Sequence, residues 1–173
     1  MSDPAPLAPA GQTAAGSALC LSCGLCCDGG LYENVKLEEE DRARLLENGF
    51  DAPDRFDHPC RHFIHQSCAI YSIRPWRCGD YQCRVLKRML DGELDSDSAH
   101  ALVDQAKGLR ESVKSVLPEG LAINRLAQEV KAGKDADRSP SRLLALARFV
   151  AYRLFVERHF LNPKAIWMLR EKA

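Results

Sequence analysis

The sequence has no net charge, no long uninterrupted hydrophobic run and no cysteine after position 83. Lys plus Arg equals Asp plus Glu at 24 each, so no global field draws the chain to nucleic acid or to an anionic membrane. The charge is uneven, with nine acids against four bases from Glu33 to Asp57 and eight bases against two acids from Arg138 onward. That basic end makes no aligned stripe for tracking phosphates. At the helical period Arg142 and Arg153 share a face while Arg148 and Arg158 point elsewhere. A solvated surface is the better reading, and nucleic acid is not an expected partner. The most apolar run, Leu143 to Val156, is too short for a membrane span and carries Arg148 and Arg153. The opening residues MSDPAPLAPAGQTAAGSA lack the basic and apolar regions of a secretory signal. A soluble, cytoplasmic protein is expected. No Ser/His/Asp order, phosphate loop or paired catalytic carboxylates point to an enzyme, and Glu38, Glu39, Glu40 and Asp41 read as the first turn of a helix.

What is present suits a folded domain. Hydrophobic residues make up 46% of 173 and charged residues 28%, which is ordinary globular usage. The Pro/Ala/Gly/Ser-rich stretch 1–18 is expected to be a flexible tail. A cysteine-cluster region over 19–94 and a helical region over 95–173 are expected to pack as one compact unit. The expected fold is mostly α: an irregular, metal-stapled N-terminal half with a short hairpin, packed on a helical C-terminal half.

Within the first half, acids at the start and Gly49 at the end predict a helix from about Glu38 to Asn48. Phe56 to His58 reads as loop. Phe63-Ile64 and Ala69 to Tyr71, on either side of Gln66-Ser67, predict a hairpin that brings Cys60 near Cys68. A helix is predicted from about Tyr81 to Leu90, with Cys78 and Cys83 flanking its start. In the second half Leu102, Ala106, Leu109, Val113 and Val116 recur at steps of four and three, a clear amphipathic signature. Leu121, Ile123, Leu126 and Val130 continue it. Ser139-Pro140-Ser141 starts the longest helix, to about His159. Leu143, Ala147, Val150 and Leu154 are expected to be its buried centre line, widened by Leu144, Ala151 and Phe155. A last short helix is predicted after Pro163.

The cysteines carry the chemistry. All eight lie between positions 20 and 83, as Cys20, Cys23, Cys26, Cys27 and then Cys60, Cys68, Cys78, Cys83. Clustered thiols in a reducing compartment mean metal or redox chemistry rather than disulfides. Three thiols at Cys-x-x-Cys-x-x-Cys spacing are found in zinc and iron–sulfur loops alike. Gly24, Gly29 and Gly30 let the backbone curl round an ion. Neighbouring side chains diverge, so Cys26 and Cys27 either serve two centres, or one bridges or stays spare. Eight thiolates suit two four-coordinate sites, but the spacing leaves the partition open.

CLSCGLCC, the acidic LEEEDRARL, the PC pair and SCAIYSIRPWRC together resemble the CxxCxxCC cysteine-cluster family, described as chelating zinc or iron. The most diagnostic part is Cys68-Ala69-Ile70-Tyr71 leading to Arg74-Pro75 and Cys78. The resemblance implies that Cys20, Cys23, Cys26, Cys27, Cys60, Cys68 and Cys78 are metal ligands, with Cys83, the least closely matched, completing the eight. It departs from the family at Gly79, where Arg is usual, and at His62-Phe63, where Phe-Leu is common. The implied function is chelation of zinc or iron, with an iron–sulfur cluster among the forms of iron; the helical half, which the resemblance does not cover, is expected to present the site to a protein partner. One alternative is an iron–sulfur enzyme or electron carrier. A flagellin lysine N-methylase has a similar cluster beside a larger domain, for which this chain is short. The other is a purely structural, zinc-stapled interaction domain.

Other residues near the cluster have two readings each. His62 and His65 can replace a thiolate, but with sulfur plentiful they are expected to be exposed hairpin residues. Tyr71 and Trp76 can shield a metal centre or simply pack in a core. Arg74 and Arg77 can offset excess thiolate charge or lie on the surface. His58, His100 and His159 get no functional reading.

Overall fold

A computed structural model describes residues 14–118, 121, 123–133 and 137–162. Among these residues it is mainly helical, with seven α-helices and two small antiparallel strand pairs, as the sequence leads one to expect. Helix α1 spans Ala14–Cys23, so it begins inside the stretch expected to be tail and already carries Cys20 and Cys23. Strand β1 is Asn34–Lys36, followed by α2, Glu39–Glu47. Strand β2, Arg55–Asp57, then pairs with β1 in the register Val35 to Phe56. This pair was not expected, because three alternating residues are too few to show a period.

Strands β3, Phe63–Ile64, and β4, Ser67–Cys68, form the expected hairpin, but its turn is His65-Gln66, one residue earlier than read. Both turn residues have positive φ, 49° and 61°, as a two-residue I′ turn needs. A 3₁₀ turn over Tyr71–Ile73 leads to α3, Trp76–Asp80, and α4, Arg84–Leu90. The helix expected from Tyr81 starts at Arg84 instead, and a separate short helix, α3, precedes it and contains Cys78. The break has a local cause. Cys83 is extended and acts as N-cap of α4, its sulfur accepting from the Leu86 amide at 3.4 Å.

The remaining helices are α5, Ser96–Lys114, α6, Ile123–Lys131, and α7, Pro140–His159. Asp95 caps α5 through the Ser98 amide at 2.7 Å, and Ser139 caps α7 through the Arg142 amide at 3.3 Å. Pro140 occupies the first turn, where its missing N–H costs nothing. The helix expected after Pro163 lies outside the described residues.

Two cores hold these elements. The larger joins Leu19, Leu25 and Leu31 of the cysteine region to Val103 of α5 and to Phe149, Tyr152 and Val156 of α7. The smaller gathers Leu37, Leu45, Ala52, Phe56 and Ile70. Helix α5 packs largely as its periodicity implies, with Ala106 and Val113 buried and Leu102 and Leu109 against the core.

Helix α7 does not bury the face expected of it. Leu143, Leu144, Val150 and Leu154 are 48%, 45%, 37% and 37% exposed, and Ala147 and Ala151 are exposed too. The buried row is Ala145, Phe149, Tyr152, Arg153, Val156 and Glu157. Apolar residues surround this helix, so apolarity alone does not single out one row. Two aromatic side chains decide the true row, each burying more area than a leucine. Arg153 can join it because Nε donates to Glu157 at 2.8 Å, pairing both buried charges.

Candidate metal centre

The cysteine loop is held from both sides. Helix α1 ends at Cys23, and Gly24 follows in the left-handed region at φ 67°. A Cβ at Gly24 would overlap the Phe63 ring, so this glycine also lets the hairpin approach. Asp28 turns the chain by accepting from the Gly30 amide at 2.8 Å. Its carboxylate lies 3.1 Å from Arg110 Nε, and Arg110 also donates to the Asp28 carbonyl at 3.2 Å. From the other side, the Cys60 amide donates to the Cys27 carbonyl at 2.7 Å. The acidic segment supplies another tie. Asp41 is 1% exposed and accepts from the Glu38 amide at 3.2 Å, from Arg44 at 2.6 Å and from the Trp76 amide at 2.7 Å. Arg44 in turn donates to the carbonyls of Ile73 and Arg74. Asp41 therefore does more than favour a helix N-terminus: it fixes the start of α3 and so the position of Cys78.

These ties place all eight cysteines on the wall of one cavity of about 630 Å³. None forms a disulfide, and each is partly buried. Val85 and Leu86 of α4 also line the cavity, as do Val103 and Phe160, so the helical region forms part of its wall. Among the described residues, no three Cys, His, Asp or Glu side chains converge closely enough to hold a metal ion. The sulfurs stand around a space rather than about a point.

Burial dominates their chemistry. It pushes the Cys20 thiol up to about 11 and those of Cys23 and Cys78 up to about 12. Burial likewise raises Cys26, Cys60 and Cys83, because an apolar surrounding disfavours thiolate. The exception is a bonded pair. Cys27 and Cys68 share a hydrogen bond that holds the proton on Cys27 and lowers Cys68 to about 7. Charge on Cys83 reaches Cys20, Cys23 and Cys26, while Cys78 feels Cys60 and Cys68.

The other named residues divide. Arg74 stacks on Tyr71, its guanidinium carbon 3.8 Å from the ring centroid, and its charge favours thiolate at Cys20, Cys68 and Cys78. Arg77 instead pairs with Glu38 at 2.6 Å at the surface. Trp76 is 55% exposed and lines the cavity, so it is not a core residue. His65 is exposed, as expected. His62 is not: it is 8% exposed, edge-on to Phe50 and Phe56, and it does not line the cavity. His58 Nδ1 bonds the Tyr32 carbonyl at 2.9 Å.

Several contributors went unread. Tyr32 and Tyr81 line the cavity with rings edge to face at 5.1 Å, and the buried Tyr81 hydroxyl has no well-formed hydrogen bond. Tyr81 lies between Cys78 and Cys83, a position that signals closeness to the cluster. Asp28, Arg110 and Tyr152 had no such signal, since their partners are remote in sequence. Residues 19–100 match the family model CxxCxxCC, described as a putative zinc- or iron-chelating domain. No curated protein and no solved structure matches the chain significantly.

Proposed function

Taking residues 19–100 as a CxxCxxCC domain, we propose that this protein binds zinc or iron through its eight cysteine thiolates. The observation that carries the reading is the lining of one cavity by all eight thiols. The donor set fits a thiophilic metal, which takes cysteine sulfur in preference to oxygen. Burial favours the protonated thiol at Cys20, Cys23, Cys26, Cys60, Cys78 and Cys83. Ligation requires their deprotonation, and the sulfurs must then draw inward. The metal is proposed to brace the loop that joins α1 to α3 and α4, since structural zinc contributes about 10–16 kcal/mol in small domains. Thiolate ligation needs reduced thiols, which a reducing compartment would maintain. The exposed apolar row on α7 supports a protein partner on the helical side.

Cys-x-x-Cys-x-x-Cys spacing serves iron–sulfur centres as well as zinc, so an iron–sulfur form stands beside bare zinc. Protein purified without oxygen should be brown and contain iron and acid-labile sulfide in this form, and be colourless with zinc in the other. Protein with neither metal, but with native disulfides among these cysteines, would overturn the proposal.

A further inference from the structure

The eight cysteines do not form one undivided set. Cys20, Cys23, Cys26 and Cys83 all pack against the larger core. Cys20 and Cys23 are three residues apart at the end of α1 and so share a face. Cys83 caps α4, which packs on α1. Cys60 and Cys68 pack against the smaller core instead. Cys68 sits in the hairpin opposite Phe63, and the Cys60 amide bonds the Cys27 carbonyl. Cys78 is held by the Asp41 bond to Trp76 on the side of the smaller core.

We infer that the thiols form two four-ligand centres, Cys20, Cys23, Cys26 and Cys83 in one and Cys27, Cys60, Cys68 and Cys78 in the other. The adjacent Cys26 and Cys27 fall on opposite sides, as the divergence of neighbouring side chains requires. The centres abut, for Cys26 lies within electrostatic reach of Cys78. Arg74 serves both, since its charge reaches Cys20 as well as Cys68 and Cys78. Tetrathiolate centres carry excess negative charge, and the Arg74 guanidinium on the same cavity wall offsets part of it. This inference rests on the proposed thiolate ligation.

Cobalt(II) tests the grouping, because its thiolate charge-transfer absorption reports sulfur ligation. Full-length reduced protein should take up two cobalt ions, both in sulfur-rich sites. Cys83→Ser and Cys60→Ser should each disrupt one centre and leave about half of the tetrathiolate absorption. The pair Cys20→Ser with Cys83→Ser should lose no more than Cys83→Ser alone, whereas Cys60→Ser with Cys83→Ser should lose both centres. Cys26→Ser should behave like Cys83→Ser, and Cys27→Ser like Cys60→Ser. A wild-type protein that binds cobalt while Cys83→Ser and Cys60→Ser each abolish all tetrathiolate absorption overturns the partition and leaves the proposed function standing. A reduced wild-type protein with no thiolate–cobalt absorption overturns both. Unfolding of the variants is met by a measurement on wild type. During stepwise chelation of the native metal, mass spectrometry should find the cysteines opening to alkylation as the same two groups of four; any other grouping overturns the inference.

Discussion

The Tyr152 hydroxyl, on α7, donates to the Gly30 carbonyl at 3.0 Å, across 122 residues of sequence. A side chain at position 30 would collide with that hydroxyl. The bond pins the end of the cysteine loop to the longest helix, and both groups are buried. Tyr152→Phe should lower stability by about 1–3 kcal/mol, because the carbonyl is left without its partner. Gly30→Ala should cost more, since it also displaces the tyrosine. Denaturant unfolding of metal-loaded protein measures both; a Tyr152→Phe variant as stable as wild type would remove this tie from the account.

Asp28 and Arg110 make the second tie between the loop and the helices, with side chains 9% and 12% exposed. Arg110→Met should destabilise by about 3–5 kcal/mol, as expected when one partner of a buried ion pair is removed. Adding Asp28→Asn should recover part of that loss. A double-mutant cycle with no coupling between the two positions would contradict the assignment.

Asp41 should be the most sensitive acid of the segment Glu38 to Asp41. Asp41→Ala strands the Trp76 amide and removes the partner of Arg44, at a cost of about 1–3 kcal/mol. Glu40→Ala, at an exposed position, should fall within about 0.5 kcal/mol of wild type. Equal effects from the two, measured by thermal melting, would show that only the charge of the helix N-terminus matters.

Helix α7 offers a test of which face is buried. Phe149 is 1% exposed and Leu154 is 37% exposed. Phe149→Ala should cost about 3–5 kcal/mol, whereas Leu154→Asp should cost under about 1 kcal/mol. The reverse order in denaturant midpoints would refute the packing described here.

Metal removal and pH are linked through the thiols. A thiol raised by burial carries its proton at neutral pH, so metal uptake must release protons, and affinity must fall as pH falls. Binding measured between pH 6 and 8 should weaken steeply toward the acid end, with proton release in an unbuffered titration. Strong chelation should lower thermal stability and expose the loop from Gly24 to Asp28 to protease. Uptake independent of pH would argue against thiolate ligation, and an unchanged melting temperature after complete metal removal would argue against a bracing role.

Composition, periodicity and spacing determined much of this protein on their own. The helical class, the starts of α2 and α7 and the apolar stripe of α5 follow from local rules acting over one or two turns. The Cys-x-x-Cys-x-x-Cys-Cys run and Cys68 to Cys78 pointed to the cluster because ligand spacing is written in sequence. The tertiary structure decided the rest. It chose the buried face of α7, where apolarity alone offered several, through the fit of Phe149 and Tyr152 and the pairing of Arg153 with Glu157. It paired β1 with β2 across an intervening helix, buried His62 against two phenylalanines and made Asp41 a bridge to α3. Above all it brought Asp28 to Arg110 and Gly30 to Tyr152. Such contacts depend on where distant segments meet in space, and no local pattern of residues encodes that meeting.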